Sequence, residues 1–128
     1  MTLEVQVAEF FTAGRRAATT REAEQLHAFR IVAKRLRYTI ELRDPDGAAE
    51  HLERLKKLQE LLGDMNDAFV AERYLQQLPA LSPRARALPA KLLEKARHHI
   101  DEFRAYWAGT FDADGAEDAW LEWARSID

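Results

Sequence analysis

Cysteine is absent from this 128-residue chain. Its absence removes disulfides, thiolate catalysis and any cysteine-ligated zinc site at once. Long apolar runs are absent too: nothing approaches the twenty-odd residues of a membrane span, and the N-terminus lacks a basic-then-apolar leader pattern. β-Branched runs and period-two alternation are missing, which removes the usual signature of strands. There is no low-complexity tract and no repeat of 20–50 residues. A cytoplasmic protein is expected. Positive charge is also not in excess: 19 Lys and Arg stand against 22 Asp and Glu, for a net charge of −3. That excludes a generally basic nucleic-acid binder and makes any local concentration of cations informative. What is there is ordinary for a globular protein, 47% hydrophobic and 32% charged, and long enough to bury a core.

The apolar residues recur with a helical period almost throughout. Val7, Phe10, Phe11 and Gly14 mark a short first segment that gives way near Gly14 and Arg15-Arg16. Thr19 and Glu22 have the spacing of a capping box, so a main helix is expected from there to about Leu42. Residues 43–47, Arg-Asp-Pro-Asp-Gly, compose a turn. Leu52, Leu55, Leu58, Leu61 and Leu62 carry the next helix. Gly63 is expected to break or kink it, since glycine costs about 1 kcal/mol against alanine in a helix interior. Asp64 would then cap a continuation to Leu78, closed by Pro79. Ser82-Pro83 reads as an N-cap with proline at the first helical position. The helix after it carries Leu92, Ala96, Ile100, Phe103 and Trp107, with Pro89 delaying or bending its first turn. A break over Thr110–Gly115 precedes Ala116–Ser126, with Asp114 and Glu117 as a cap pair. The expected fold is all-α, an antiparallel bundle of four main helices plus short terminal ones, in a single domain over residues 1–128.

One stretch stands apart. Within Leu26–Leu42, the residues Leu26, Phe29, Ala33, Leu36 and Ile40 form a buried seam. On a neighbouring face His27, Arg30, Lys34 and Arg37 fall in one column, with Tyr38 and Glu41 near its lower end. Like charges at this spacing repel by a few tenths of a kcal/mol per pair, and a merely soluble helix mixes its signs. The column is suited to a polyanion; a solvated face is the plainer reading of spacing alone.

The second part of the pattern follows after the turn. Leu26-His27-x-x-Arg30-x-x-x-Lys34-Arg35-Leu36-Arg37-Tyr38-x-x-Glu41 and Leu58-Gln59-x-x-Leu62-Gly63-x-x-Asn66-Asp67-Ala68 together resemble the CHAD family, named for its histidine-containing α-helical domain. The motif-bearing region spans residues 19–78, and the form with Lys-Arg-Leu-Arg-Tyr and Asn-Asp looks like the second of the two helical halves that members usually carry. This chain has room for one half. The resemblance implies a non-catalytic module that binds inorganic polyphosphate on a basic surface, without a cofactor, and localisation with polyphosphate granules. The residue chemistry agrees: Arg30 and Arg37 are forks for phosphate oxygens and Lys34 a compact point charge. Lys56 and Lys57 open the second motif and reach the same groove if the helices pack antiparallel. His27 is a donor whose charged form a polyanion favours. Arg35 points to another side. Binding of this kind weakens steeply with salt.

Other features have duller readings beside them. Asp64, Asn66 and Asp67 are expected to be caps rather than a hard-cation site, since an EF-hand loop needs more ligands. Glu24-x-x-His27 matches one half of a di-iron motif, but no second Glu-x-x-His exists. Lys91, Lys95 and His98 form a smaller basic stripe that would extend the groove if their helix lies beside the first. His51 falls in a leucine stripe and is expected to be packed. Trp120 and Trp123 lie a turn apart on a short last helix that cannot bury both alone, which suggests a partner face and, with the missing half, a C2 homodimer. Two alternatives remain: an enzyme acting on phosphoanhydrides, which lacks a carboxylate cluster for two metals, and a helical interaction or single-stranded nucleic-acid module, for which only Tyr38 offers a stacking platform.

Overall fold

A computed structural model describes all of residues 1–128 and contains no strand. Five α-helices follow one another: α1 (Leu3–Ala17), α2 (Ala23–Arg43), α3 (Ala49–Gln76), α4 (Leu88–Thr110) and α5 (Ala116–Ile127), with a single 3₁₀ turn over Ala85–Ala87. The helix α3 packs between α2 and α4, and α1 packs between α2 and α5. Arg37, late in α2, meets Gln59, early in α3, while Tyr106, late in α4, donates to the carbonyl of Arg54 near the start of α3. Both neighbouring pairs therefore run antiparallel.

The apolar stripes read from the sequence are the buried faces. Leu26, Phe29, Ala33, Leu36 and Ile40 of α2 are all inside, as are Ala96, Ile100, Phe103 and Trp107 of α4. One cluster of 22 buried hydrophobic residues draws on all five helices. At its centre Phe10, Phe29, Trp107, Phe111 and Trp120 meet edge-on, tilted or stacked, with Phe10 5.5 Å from Phe29 and 5.7 Å from Trp107 between ring centroids. Such pairs add about 0.5–1.5 kcal/mol each beyond their area. Helix α1 runs through Gly14 to Ala17, rather than giving way there. A Cβ at Gly14 would lie 2.0 Å from the Trp107 ring, so glycine is what lets that ring lie directly against α1.

Several expected boundaries differ, each for a local reason. The Thr19–Glu22 capping box does not form: the Thr19 hydroxyl donates to the Arg16 carbonyl and finishes α1, and Thr20 Oγ1 accepts from the Glu22 N–H. Gly63 does not interrupt α3, which is continuous over 28 residues, so Asp64, Asn66 and Asp67 are helix-interior residues and not caps. Packing on both α2 and α4 outweighs one unfavourable glycine. Ser82 Oγ accepts from the Ala85 N–H and starts only the short turn; α4 begins at Leu88 with Pro89 in its first turn, where a missing N–H costs nothing. Gly115, at φ 78°, leads into α5 without a side-chain cap from Asp114.

The last residue acts as a clasp. Asp128 accepts from the N–H groups of Leu3 and Glu4 at 2.9 and 3.1 Å and from Arg43 at 2.9 Å. One carboxylate thus fastens the start of α1, the end of α2 and the end of α5. The two backbone N–H bonds, more than Arg43, hold it below the usual carboxylate range. The aromatic C-terminus is accounted for within the chain: Trp120 is buried in the core, and Trp123 stacks on His51 with centroids 3.8 Å apart. The argument for a partner face at α5 falls with that.

Candidate functional site

The seam between α2 and α3 brings the two halves of the sequence pattern together. Arg30 and Arg37 of α2, with Lys56, Gln59 and Glu60 of α3, line an open groove of about 360 Å³ that has no hydrophobic wall. The seam residues Leu26, Ala33, Leu36 and Ile40 anchor one side of it, and Leu55, Leu58 and Leu62 the other. Each cation is therefore carried on a helix, one position after a buried apolar residue: Arg30 after Phe29, Arg37 after Leu36 and Lys56 after Leu55.

The cations differ in how committed they are. Arg37 is held on both sides: its Nε donates to Glu41 Oε1 and its NH1 to Gln59 Oε1, each at 3.0 Å. Arg30 is half-buried and its Nε is shut away from water with no hydrogen-bond partner. Lys34 is exposed and lies 5.8 Å from the centroid of the Tyr38 ring, within cation–π range. None of Arg30, Lys34 and Lys56 makes an ion pair within the chain. A guanidinium wants five acceptors, and an unmet donor in a low-dielectric setting is costly. The groove thus holds the positive charge of Arg30, Arg37 and Lys56, with Lys34 outside its lining, Glu60 on its rim and Glu41 tied to Arg37.

Not every expected member is present. Lys57, 100° further round α3 than Lys56, is exposed and does not line the groove. His27 is exposed and sits up the seam, where with Leu62, Met65, Asn66 and Phe69 it borders a narrow, mostly apolar recess too tight to admit a water molecule. Arg35 faces the other way, into a largely apolar hollow between α1 and α2 with Glu9, Tyr38 and Leu42. The Lys91, Lys95 and His98 stripe does not extend the column, because α4 packs against α3; Lys95 and His99 line a separate hollow with Asp64 and Asp67. His98 and His99 both engage Glu102 Oε1 at 3.1 Å. Asn66 faces α2 and the two aspartates face α4, so the three do not converge. No group of three or more His, Asp or Glu side chains is placed to hold a metal ion.

Gln59 and Glu41 stood in the sequence pattern without an assigned contact and Glu60 was not singled out, although the spacing of Gln59 and Glu60 from Lys56 at i+3 and i+4 puts all three on one face. His51 is half-buried; desolvation, then the Arg54 charge, lower its pKa against the opposing pull of Glu50.

A family comparison matches residues 1–76 to the CHAD domain. The chain belongs to the CHAD family. No curated protein and no solved structure matches it. The CHAD match ends at Gln76, the last residue of α3, so it contains both walls of the groove. The helices α4 and α5 lie outside the CHAD match and complete the core, through Ile100, Phe103, Trp107, Trp120 and Ala124. No helix is long and apolar enough to cross a membrane.

Proposed function

We propose that the α2–α3 groove binds inorganic polyphosphate, as a non-catalytic module. The observation that carries the reading is Arg30, which makes no ion pair and lines, with Arg37 and Lys56, a groove without apolar walls. CHAD domains are associated with polyphosphate binding and are generally non-catalytic, and a string of phosphates meets each requirement of this groove. Arg30 supplies the fork that nothing else satisfies, Lys34 and Lys56 act as mobile point charges, and Arg37 is a pre-oriented fork held by Gln59. His27 contacts the chain further up the seam, and Lys57 adds long-range attraction from the flank.

A second copy related by a two-fold axis would set two such grooves face to face and lengthen the track. Ile31, Tyr38, Val70 and Tyr74 are exposed on α2 and α3 and would be covered by it. A strict monomer by light scattering, with and without polyphosphate, removes this assembly and leaves the single groove.

The test is a polyphosphate titration of the wild type and of Arg30→Ala/Lys34→Ala. Charge-assisted contacts are worth about 1.5–3 kcal/mol each, so affinity should fall at least about tenfold per contact. Thermal stability should hold, since neither residue is in an ion pair. The wild-type affinity should also fall linearly with the logarithm of salt concentration. Equal binding by the double variant, or binding indifferent to salt, refutes the reading.

A further inference from the structure

We propose that Gly63 is the place where a bound polyphosphate crosses α3 close to its backbone, passing along the surface of the α2–α3 seam from the Arg30–Lys56 groove to the exposed His27 and the amide of Asn66. The inference rests on the polyphosphate reading and specifies the path of the ligand.

Gly63 has no explanation within the chain. It lies mid-way along a 28-residue helix, where glycine costs about 1 kcal/mol relative to alanine. Two structural reasons excuse such a residue. One is a left-handed backbone, but the only glycine with positive φ is Gly115. The other is a close neighbour, as Trp107 is to Gly14; a Cβ at Gly63 meets nothing within 4 Å. Gly109 also has open space around it, but it sits in the last turn of α4, where helices fray and the cost is small. The gap at Gly63 is therefore left for something outside the chain.

Its position says what. Gly63 follows Gln59 and Glu60 by one turn and precedes Asn66 by one turn, on the ridge of α3 that borders α2. Gln59 and Glu60 belong to the groove with Arg30, and Asn66 to the recess with His27. From Lys56 to Asn66 the helix rises about 15 Å. The N–H of a helix-interior residue is already used, so Gly63 offers room and no donor. A side chain there would stand as a fence between Arg30 below and His27 above. Without one, a thin anionic strand can stay in the seam, passing from the guanidinium of Arg30 to the imidazole of His27 and the amide of Asn66. The sequence motif Leu62-Gly63-x-x-Asn66 thereby acquires a physical meaning: passage, then a polar contact.

The experiment measures tripolyphosphate and long-chain polyphosphate binding by calorimetry at fixed salt, on wild type, Gly63→Ala and Gly63→Leu, with thermal unfolding of each. Both variants should be at least as stable as wild type. Tripolyphosphate, too short to span both parts, should bind all three proteins alike. Long-chain polyphosphate should lose little affinity for Gly63→Ala and about tenfold or more for Gly63→Leu. Unchanged long-chain binding by Gly63→Leu overturns the crossing while leaving the groove intact. Equal losses for both ligands overturn it too, because Gly63 would then act inside the groove. A self-association that Gly63→Leu abolishes, with ligand binding unchanged, would give the gap to a second copy instead. Wild-type protein that binds neither ligand defeats the polyphosphate reading and this inference with it.

Discussion

Replacing Gly14 by alanine should destabilise the protein, although alanine is the better helix former. Helix propensity alone favours the change by about 1 kcal/mol. The added Cβ, however, would stand 2.0, 2.4 and 2.5 Å from three atoms of the Trp107 ring, where carbon atoms rest about 3.5–4.0 Å apart. The ring must retreat by roughly 1.5 Å on that spacing, and it has nowhere to go. Trp107 is 2% exposed, with Phe111, Phe29, Phe10 and Phe11 at 5.1, 5.6, 5.7 and 5.9 Å between centroids. Overpacking of this kind costs about 1–3 kcal/mol, occasionally more. With a displacement well beyond a few tenths of an ångström, the upper end applies, and a net loss of about 2 kcal/mol remains after the propensity gain. For a chain of this length that lowers the melting temperature by about 6–10 °C. Circular dichroism melts, paired with tryptophan fluorescence, measure it. Gly63→Ala is the internal reference, since the same substitution there meets open space and should gain up to about 1 kcal/mol. A Gly14→Ala protein that melts at or above the wild type would refute the close seating of the Trp107 ring on Gly14.

Two further predictions concern charge. His51 has its folded pKa lowered, chiefly by burial, so the unfolded chain takes up the proton more readily. The stability that neutral His51 allows is complete above about pH 6.5 and is lost as the pH falls through that value. His51→Phe, which keeps an aromatic ring against Trp123, should flatten the urea midpoint between neutral and mildly acid pH; an unchanged pH slope would refute the assignment. Glu41→Gln removes the carboxylate paired with Arg37 at the partly exposed i, i+4 site. It should cost no more than about 0.5 kcal/mol in stability, and polyphosphate affinity should rise because Arg37 loses a competing acceptor; weaker binding would mean that Glu41 orients Arg37 rather than masking it.

Much of the bundle was legible because burial in a helix is a periodic property. The seam of Leu26, Phe29, Ala33, Leu36 and Ile40, and that of Ala96, Ile100, Phe103 and Trp107, depend only on spacing. Helix ends were less legible. Thr19, Ser82 and Asp114 all carry capping chemistry, but which backbone N–H groups need a cap depends on where packing stops a helix. The same limit applied to Gly63, whose local cost was read correctly and whose consequence was not, because α3 is held from two sides.

The column of His27, Arg30, Lys34 and Arg37 was fixed by sequence, since helical geometry leaves no choice about which side chains share a face. The pairing of that column with α3 was decided by tertiary structure. Antiparallel packing admitted Lys56 and excluded Lys57, brought Gln59 and Glu60 to the rim, and sent the basic stripe of α4 to another side. Distances between helices also assigned the cross-helix partners: Arg37 found Gln59, whereas Arg30 found none. A one-dimensional pattern sets the face each residue occupies; only the arrangement of helices in space sets which faces meet.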